Sequence, residues 1–104
     1  MHAEVFRHRE ALSALCEQYG VSRLEVFGSG ARGTDFEDAS SDMDFLVTFK
    51  PAFRNDLAVF AELKEGLETV LGRPVDLVER EAVETSRNFL RRRAILRDAQ
   101  AIYG

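Results

Sequence analysis

The hydrophobic positions of the first half of the chain change from helical spacing to strand-like alternation. Apolar residues recur at roughly helical intervals near the start, and Gly20 supplies a stop signal, so the pattern predicts a helix over about residues 3–19. The alternation in RLEVF predicts a short strand over 23–27. A strongly β-like run, MDFLVTF, predicts a second strand over 43–49.

The second half repeats these two kinds of pattern. A helical face begins at Asn55 or Asp56 and ends at Leu71, and VDLV predicts a third strand over 75–78. A last helix is predicted from about residue 82 to 102. The resulting order of helices and strands, with a glycine-rich turn between the first two strands, predicts an α/β fold with a small sheet.

Composition limits what such a fold can do. The 104 residues, 45% of them hydrophobic, predict one domain over 1–104, with no room for a second substrate-binding domain. The net charge of −4 argues against affinity driven by nucleic-acid phosphates. One cysteine, Cys16, permits neither an internal disulfide nor a cysteine metal cage. With no signal peptide and no membrane span in the pattern, we expect a soluble cytoplasmic protein.

The glycine-rich turn GSGARG formally matches the dinucleotide fingerprint G-x-G-x-x-G through Gly28, Gly30 and Gly33. Only the polar stretch TDFEDASS follows before the next strand, which is too short for a helical crossover to a parallel strand. This argues against a dinucleotide-binding domain. Backbone N–H groups of the turn and the Ser29 hydroxyl can still bind phosphate, although a plain tight turn would have the same glycines.

Three aspartates are the strongest candidates for chemistry. Asp42 and Asp44 lie two residues apart at the head of the second predicted strand, so their side chains share one face. Asp76 interrupts the apolar third strand, where an unpaired carboxylate is costly. If these strands are neighbours, the three carboxylates converge, and oxygen ligands without His or Cys suit Mg²⁺. A solvated strand end and an edge-strand aspartate are the alternatives.

Two of these motifs, taken together, resemble a known signature. FGSGARG followed by SDMDFLV resembles the pattern G-S-x-A-R-G … S-D-x-D-[LF]-x-V of DNA polymerase beta-like nucleotidyltransferases. VDLV resembles the third acidic strand of that family, and LRRRAILRDAQAIYG resembles its closing helix. The resemblance covers about residues 21–104 and implies a small mixed sheet flanked by helices. The length and the ending resemble minimal nucleotidyltransferases, the antitoxins often encoded beside a HEPN-domain ribonuclease toxin.

The resemblance implies a role for each matching residue. It implies nucleotide contacts from the turn, through Gly28, Ser29 and Arg32. It implies that Asp42 and Asp44 bind two Mg²⁺ ions. Asp76 would be the third carboxylate, which binds the catalytic metal and helps to deprotonate the acceptor hydroxyl.

The implied reaction transfers AMP from ATP to a hydroxyl group of a cognate HEPN toxin, and tyrosine is the expected acceptor. The transfer would neutralise the toxin. A chain this short has little room for an acceptor, which favours a protein that brings its own surface. Two other hypotheses remain open. The chain could neutralise the toxin by binding alone, or it could modify a small molecule when a partner subunit completes it. The run Arg91–Arg93 is either a partner contact or a solvated helix face. A hetero-oligomer is expected, with neither membrane nor direct nucleic-acid contact.

Overall fold

Four strands form one mixed sheet with helices on both faces in the computed structural model, which describes residues 3–28 and 42–104. Its elements in chain order are α1 (Ala3–Arg7), α2 (Arg9–Gln18), β1 (Val21–Phe27), β2 (Met43–Phe49), a short 3-10 turn (Pro51–Phe53), α3 (Leu57–Leu71), β3 (Val75–Glu79), α4 (Arg80–Glu84), α5 (Phe89–Asp98) and β4 (Gln100–Tyr103). The prediction of an α/β fold with a small sheet is therefore confirmed. No helix in this described part of the chain is long and apolar enough to cross a membrane.

The strand order is β3-β2-β1-β4. β1 pairs antiparallel with both β2 and β4, whereas β2 and β3 run parallel and are joined through α3. A dinucleotide-binding unit needs a parallel pair on either side of its glycine turn. Because β1 and β2 are antiparallel, the argument against that reading is confirmed.

The face of the sheet covered by α1, α2 and α3 holds the larger core. Alternate residues of β2 enter it, as period-2 alternation requires: Met43, Phe45, Val47 and Phe49. They pack against buried helix positions that include Leu12, Cys16, Leu63 and Leu67. The core-facing set predicted for the second strand is confirmed.

α4 and α5 cover part of the opposite face through a second, smaller cluster. Its buried members are Phe27, Leu46, Val83 and Ile95. Phe27 and Leu46 belong to the same strands as the larger core but point the other way. This smaller cluster leaves the starts of β2 and β3 for polar side chains.

The third helix and the strand after it lie where the sequence predicts them. Asp56 caps α3, since its Oδ1 atom accepts a hydrogen bond of 3.1 Å from the Val59 N–H. Gly72 ends the helix in the left-handed conformation at φ 66°. β3 then follows within three residues.

The first predicted helix, over 3–19, is interrupted rather than continuous. α1 and α2 are separated at His8, whose backbone (φ −99°, ψ 17°) departs from helical values. Beside it, Arg9 Nη1 donates a hydrogen bond of 2.9 Å to the Phe6 carbonyl oxygen. This side-chain donor competes with the helical backbone for that carbonyl.

The single last helix predicted over 82–102 is wrong. The segment forms α4, a turn, α5 and the strand β4. The Thr85 hydroxyl donates to the Glu81 carbonyl oxygen at 2.9 Å, and Asn88 Oδ1 accepts from the Arg91 N–H at 3.1 Å. These local hydrogen bonds end one helix and start the next. β4 is extended because it pairs with β1.

Candidate active site

Two of the predicted aspartates lie side by side on neighbouring parallel strands. Asp44 of β2 is the register partner of Asp76 of β3. Asp42 lies two residues before Asp44, at the entrance to β2, and is exposed. The second and third predicted strands are thus neighbours, which is the condition under which the carboxylates were expected to converge. Both aligned carboxylates belong to the face of the sheet that α4 and α5 only partly cover.

The charges of the two other aspartates act on Asp44. Partial burial first, and the negative charges of Asp76 and Asp42 second, together raise the pKa of Asp44 to about 6. The ionised form of the Asp44 carboxyl is therefore destabilised, first by burial and then by the charges of Asp76 and Asp42. A cation placed among these carboxylates would remove that repulsion.

The donor chemistry of this group fits Mg²⁺ bound together with a nucleotide. Carboxylate oxygens are hard ligands, and Mg²⁺ usually takes one or two protein carboxylates and completes its shell with phosphate oxygens and water. In the part of the chain that is described, no three His, Cys, Asp or Glu side chains form a metal-holding group by themselves. The aspartates thus fit an ion shared with a triphosphate better than a site made of protein ligands alone.

Gly28 brings the end of β1 close to this carboxylate pair. Its backbone is left-handed, with φ 68°, and a Cβ atom added there would lie 2.9 Å from Asp44 Oδ2. Glycine is needed twice over, for the backbone angle and for the close approach. Phe27, immediately before it, is the register partner of Asp44. Gly28 therefore lies beside Asp44.

The other predicted nucleotide contacts, Ser29 and Arg32, lie outside the described residues, as do Gly30 and Gly33. Their roles stay predictions that the resemblance implies.

A buried ion pair near the site was missed by the sequence reasoning. Glu25 of β1 is 3% exposed and accepts hydrogen bonds of 2.5 and 2.7 Å from Arg80 Nη1. Arg80 begins α4 and also donates to Glu84 at 3.1 Å. The hydrogen bond that Arg80 donates to Glu25 is the main cause that raises the pKa of Arg80 above its ordinary value. The pair ties α4 to β1 across β2, on the same face of the sheet as Asp44.

The signal for this pair was available in the strand RLEVF. A charged residue between apolar neighbours in a strand needs a partner, which is the argument that singled out Asp76. Applied to Glu25, it would have predicted a buried cation, although only the fold identifies Arg80 as that cation.

A cavity of about 250 Å³ lies away from the aspartates, near the ends of β2 and β3. Its lining includes Glu79, Glu81, Glu84 and a single cation, Arg54. The three aspartates and Gly28 lie at the other end of these strands.

The fold agrees with comparisons to known proteins. The model of the family described as "Nucleotidyltransferase domain" matches residues 8–102. This match spans nearly the whole chain, including both strands that carry the aligned aspartates. The chain belongs to that family.

Within the family, the chain is homologous to the MntA-type protein adenylyltransferases. The protein adenylyltransferase MntA of Thermococcus cleftensis is 44% identical over 71 residues, which are 68% of this chain and 68% of that protein. A solved structure of a candidate minimal nucleotidyltransferase superimposes with a TM-score of 0.71 at 40% identity. That superposition covers 96% of this chain and 95% of the other.

A more distant relative shares the fold. It is a toxin–antitoxin complex crystallised with AMP-PNP, with a TM-score of 0.61 at 22% identity. The match covers 92% of this chain and 73% of that chain. At this identity the likeness supports the nucleotidyltransferase fold.

Proposed function

We propose that this chain is an antitoxin that transfers AMP from ATP to a hydroxyl of a cognate HEPN ribonuclease toxin, with tyrosine as the expected acceptor, and so neutralises the toxin. The observation that carries the proposal is the alignment of Asp44 with Asp76, beside Asp42 and Gly28, in a homologue of protein adenylyltransferases. Nucleotidyl transfer depends on positioning and on charge neutralisation, and the aspartates serve both.

The reaction balances with groups that this site can hold. The acceptor oxygen forms a bond to the α-phosphorus of ATP, and the bond from that phosphorus to the α,β-bridging oxygen breaks. Pyrophosphate leaves with the electron pair of that bond. The acceptor proton passes to Asp76, which is exposed and can release it to water.

Asp42, Asp44 and Asp76 are the residues that would hold two Mg²⁺ ions, whose chemistry is to offset the charge of the triphosphate and of the carboxylates. Gly28 leaves room for the nucleotide next to Asp44, since any side chain there would fill that space. Ser29 and Arg32 are proposed as further phosphate contacts, on the strength of the signature that they complete.

The acceptor is proposed to be a protein because the chain is 44% identical over 71 residues to a protein adenylyltransferase. A small-molecule acceptor would need enclosing structure of its own, whereas a protein supplies its own surface.

Labelled ATP tests the reaction. The chain is incubated with Mg²⁺, a cognate HEPN-domain protein and ATP that carries the label on either the α- or the γ-phosphate. We expect the α-label on the partner, no γ-label, and one pyrophosphate released for each AMP attached. Transfer of the γ-label would show a kinase instead. Absence of both labels would refute the proposed reaction.

A further inference from the structure

The outer face of α5 combines positive charge with exposed apolar side chains. Phe89 is 55% exposed and Leu90 is 76% exposed, and the exposed arginines Arg93 and Arg97 belong to the same helix. Residues three or four apart on a helix are neighbours, so these four side chains form one continuous surface. We refer to Phe89, Leu90, Arg93 and Arg97 as the α5 face.

The opposite side of α5 anchors the helix beside the active site. Ile95 is buried against Phe27 and Leu46. Phe27 pairs in register with Asp44, and Leu46 follows Asp44 by two residues on the same face of β2. The α5 face thus belongs to a helix that packs on the same side of the sheet as the aspartates.

A small cavity continues from this helix toward β3. It has a volume of about 130 Å³, and its lining includes Val78, Val83, Ser86 and Arg91. Val78 follows Asp76 by two residues, so it lies on the same face about 7 Å farther along the strand. The buried side of α5 and this cavity therefore lie on the same side of the sheet as the aspartates, and the α5 face points outward from that side.

We propose that the α5 face docks the acceptor protein, through an acidic segment with apolar side chains next to the hydroxyl that receives AMP. This inference rests on the proposed function, since it names the surface that delivers the acceptor. Arginine and aromatic side chains are enriched at protein interfaces, particularly at the positions that contribute most to binding. Arg93 and Arg97 favour acidic partner residues by charge complementarity, and Arg97, 73% exposed, also forms an ion pair of 3.5 Å with Asp98.

Surrounding charges favour a protein over a nucleic acid. α4 next to α5 carries Glu81 and Glu84, both exposed, and the chain as a whole has a net charge of −4. A long polyanion lying across α5 would meet these carboxylates. A compact acidic segment can contact Arg93 and Arg97 without reaching them.

Binding is measured in the Asp42→Asn/Asp44→Asn background, so that transfer cannot alter the partner during the experiment. The probe is the cognate HEPN-domain protein. We expect Arg93→Glu/Arg97→Glu to weaken its binding about tenfold or more, and Leu90→Ala to weaken it about threefold or more. In the wild-type background, the same substitutions should raise the KM for the partner and leave kcat unchanged at saturation.

The chain offers matched controls for both changes. Leu57 is 82% exposed on α3, so Leu57→Ala removes an equally exposed leucine elsewhere. Lys50→Glu/Lys64→Glu reverses two exposed cations away from α5 and produces the same change in net charge. Both controls should bind the partner within about twofold of the parent. All variants should bind α,β-methylene-ATP with Mg²⁺ equally, in the background that retains Asp42 and Asp44.

The outcomes separate this inference from the proposed function. If the partner receives no AMP but Arg93→Glu/Arg97→Glu abolishes its binding, the reaction fails and the docking surface stands. Partner binding that is unaffected by either α5 variant overturns the docking surface even when AMP transfer occurs. It is also overturned if single-stranded RNA binds the α5 face more tightly than the partner, or if the face holds a second copy of this chain, seen as a dimer that Arg93→Glu/Arg97→Glu dissociates.

Discussion

Asp44 is the residue of this site whose ionisation depends most on its neighbours. It is the register partner of Asp76, it follows Asp42 by two positions, and it faces the space that Gly28 leaves open. Its pKa of about 6 records burial first and the repulsion of the two aspartates second. The properties of this single carboxyl therefore report on the whole arrangement.

Removing the charge of Asp44 should stabilise the metal-free protein, and only where the carboxyl would be ionised. Its folded pKa of about 6 exceeds the ordinary 3.8, so the destabilisation is absent below the lower value and complete above the higher one. Asp44→Asn should raise the free energy of unfolding by about 1–2 kcal/mol at about pH 8, a figure reduced for solvent screening, and by almost nothing at about pH 3.5.

Urea unfolding at both pH values measures this difference. Glu62→Gln, an exposed carboxyl change on α3, serves as the control and should show no such trend. A stabilisation by Asp44→Asn that is equal at both pH values would contradict the proposed repulsion.

Gly28→Ala should impair AMP transfer far more than it impairs folding. The left-handed backbone costs alanine about 1–2 kcal/mol, and the new methyl group would lie against Asp44 Oδ2. Gly72→Ala is a matched control, because Gly72 has φ 66° and nothing within 4 Å of an added Cβ. Both variants should lose similar stability in thermal unfolding, but only Gly28→Ala should lose about tenfold or more of kcat/KM. Equal activities of the two variants would refute a role for the space beside Asp44.

At the level of elements, the strands that carry the aspartates could be predicted and the C-terminal elements could not. Alternation within MDFLVTF and VDLV fixes which side chains face the core, and this alone placed Asp44 and Asp76 on the other face. Pairing between β2 and β3 was an assumption, because register depends on contacts far apart in sequence. β4 was missed for the same reason, since only pairing with β1 makes that segment extended.

The turn between α4 and α5 could have been recognised. TSRN, at residues 85–88, contains three residue types that favour helix caps and turns, and both Thr85 and Asn88 make the hydrogen bonds that end and begin a helix. The apolar positions that predicted one helix over 82–102, which are Phe89, Leu90, Ile95 and Ile102, concealed this signal. The break matters because it lets α4 and α5 both pack on the face that carries the site.

The Glu25–Arg80 pair should be the most costly polar contact to break among these elements. Glu25 is 3% exposed, so Arg80→Ala leaves a buried carboxylate whose remaining ion pair, with Arg23, is 3.7 Å long, and it should lower the free energy of unfolding by about 3 kcal/mol. Glu25→Ala should cost less, because Arg80 is 27% exposed and keeps its ion pair with Glu84. Chemical denaturation of the two single variants and of Glu25→Ala/Arg80→Ala gives the coupling energy. The exposed Arg54–Glu81 pair, at 3.9 Å, provides the comparison, and Glu81→Ala should cost at most about 0.5 kcal/mol. Equal costs for the two pairs would show that the buried one has no special role.

In the molecule as a whole, the two faces of the sheet have different roles, and this difference explains how a small chain can work as an enzyme. One face of the sheet holds most of the core under α1, α2 and α3. The other face holds the smaller cluster and the aspartates, so stability and chemistry make separate demands on opposite sides. Sequence reasoning placed Asp42 and Asp44 on one face of a strand, and it placed Asp76 beside them on the condition that the two strands are neighbours. It left the run Arg91–Arg93 open between a partner contact and a solvated helix face, and only the structure shows Phe89 and Leu90 exposed on that helix.

Ligand binding should stabilise the whole molecule in a carboxylate-dependent way. Mg²⁺ with α,β-methylene-ATP, in which the bond to be broken is blocked, binds the folded state only and should raise its melting temperature. The same addition should leave the Asp42→Asn/Asp44→Asn variant almost unchanged. An equal shift in both proteins would show that the nucleotide binds away from the aspartates.

The central claim is that these aspartates attach AMP to a protein. Its most direct test is the intact mass of the cognate HEPN-domain protein after incubation with ATP, Mg²⁺ and either the wild-type chain or a folded Asp42→Asn/Asp44→Asn variant. We predict that the partner gains the mass of one or more AMP groups with the wild type and none with the variant. A partner that gains no such mass with the wild-type chain, or gains it equally with both proteins, would contradict the claim.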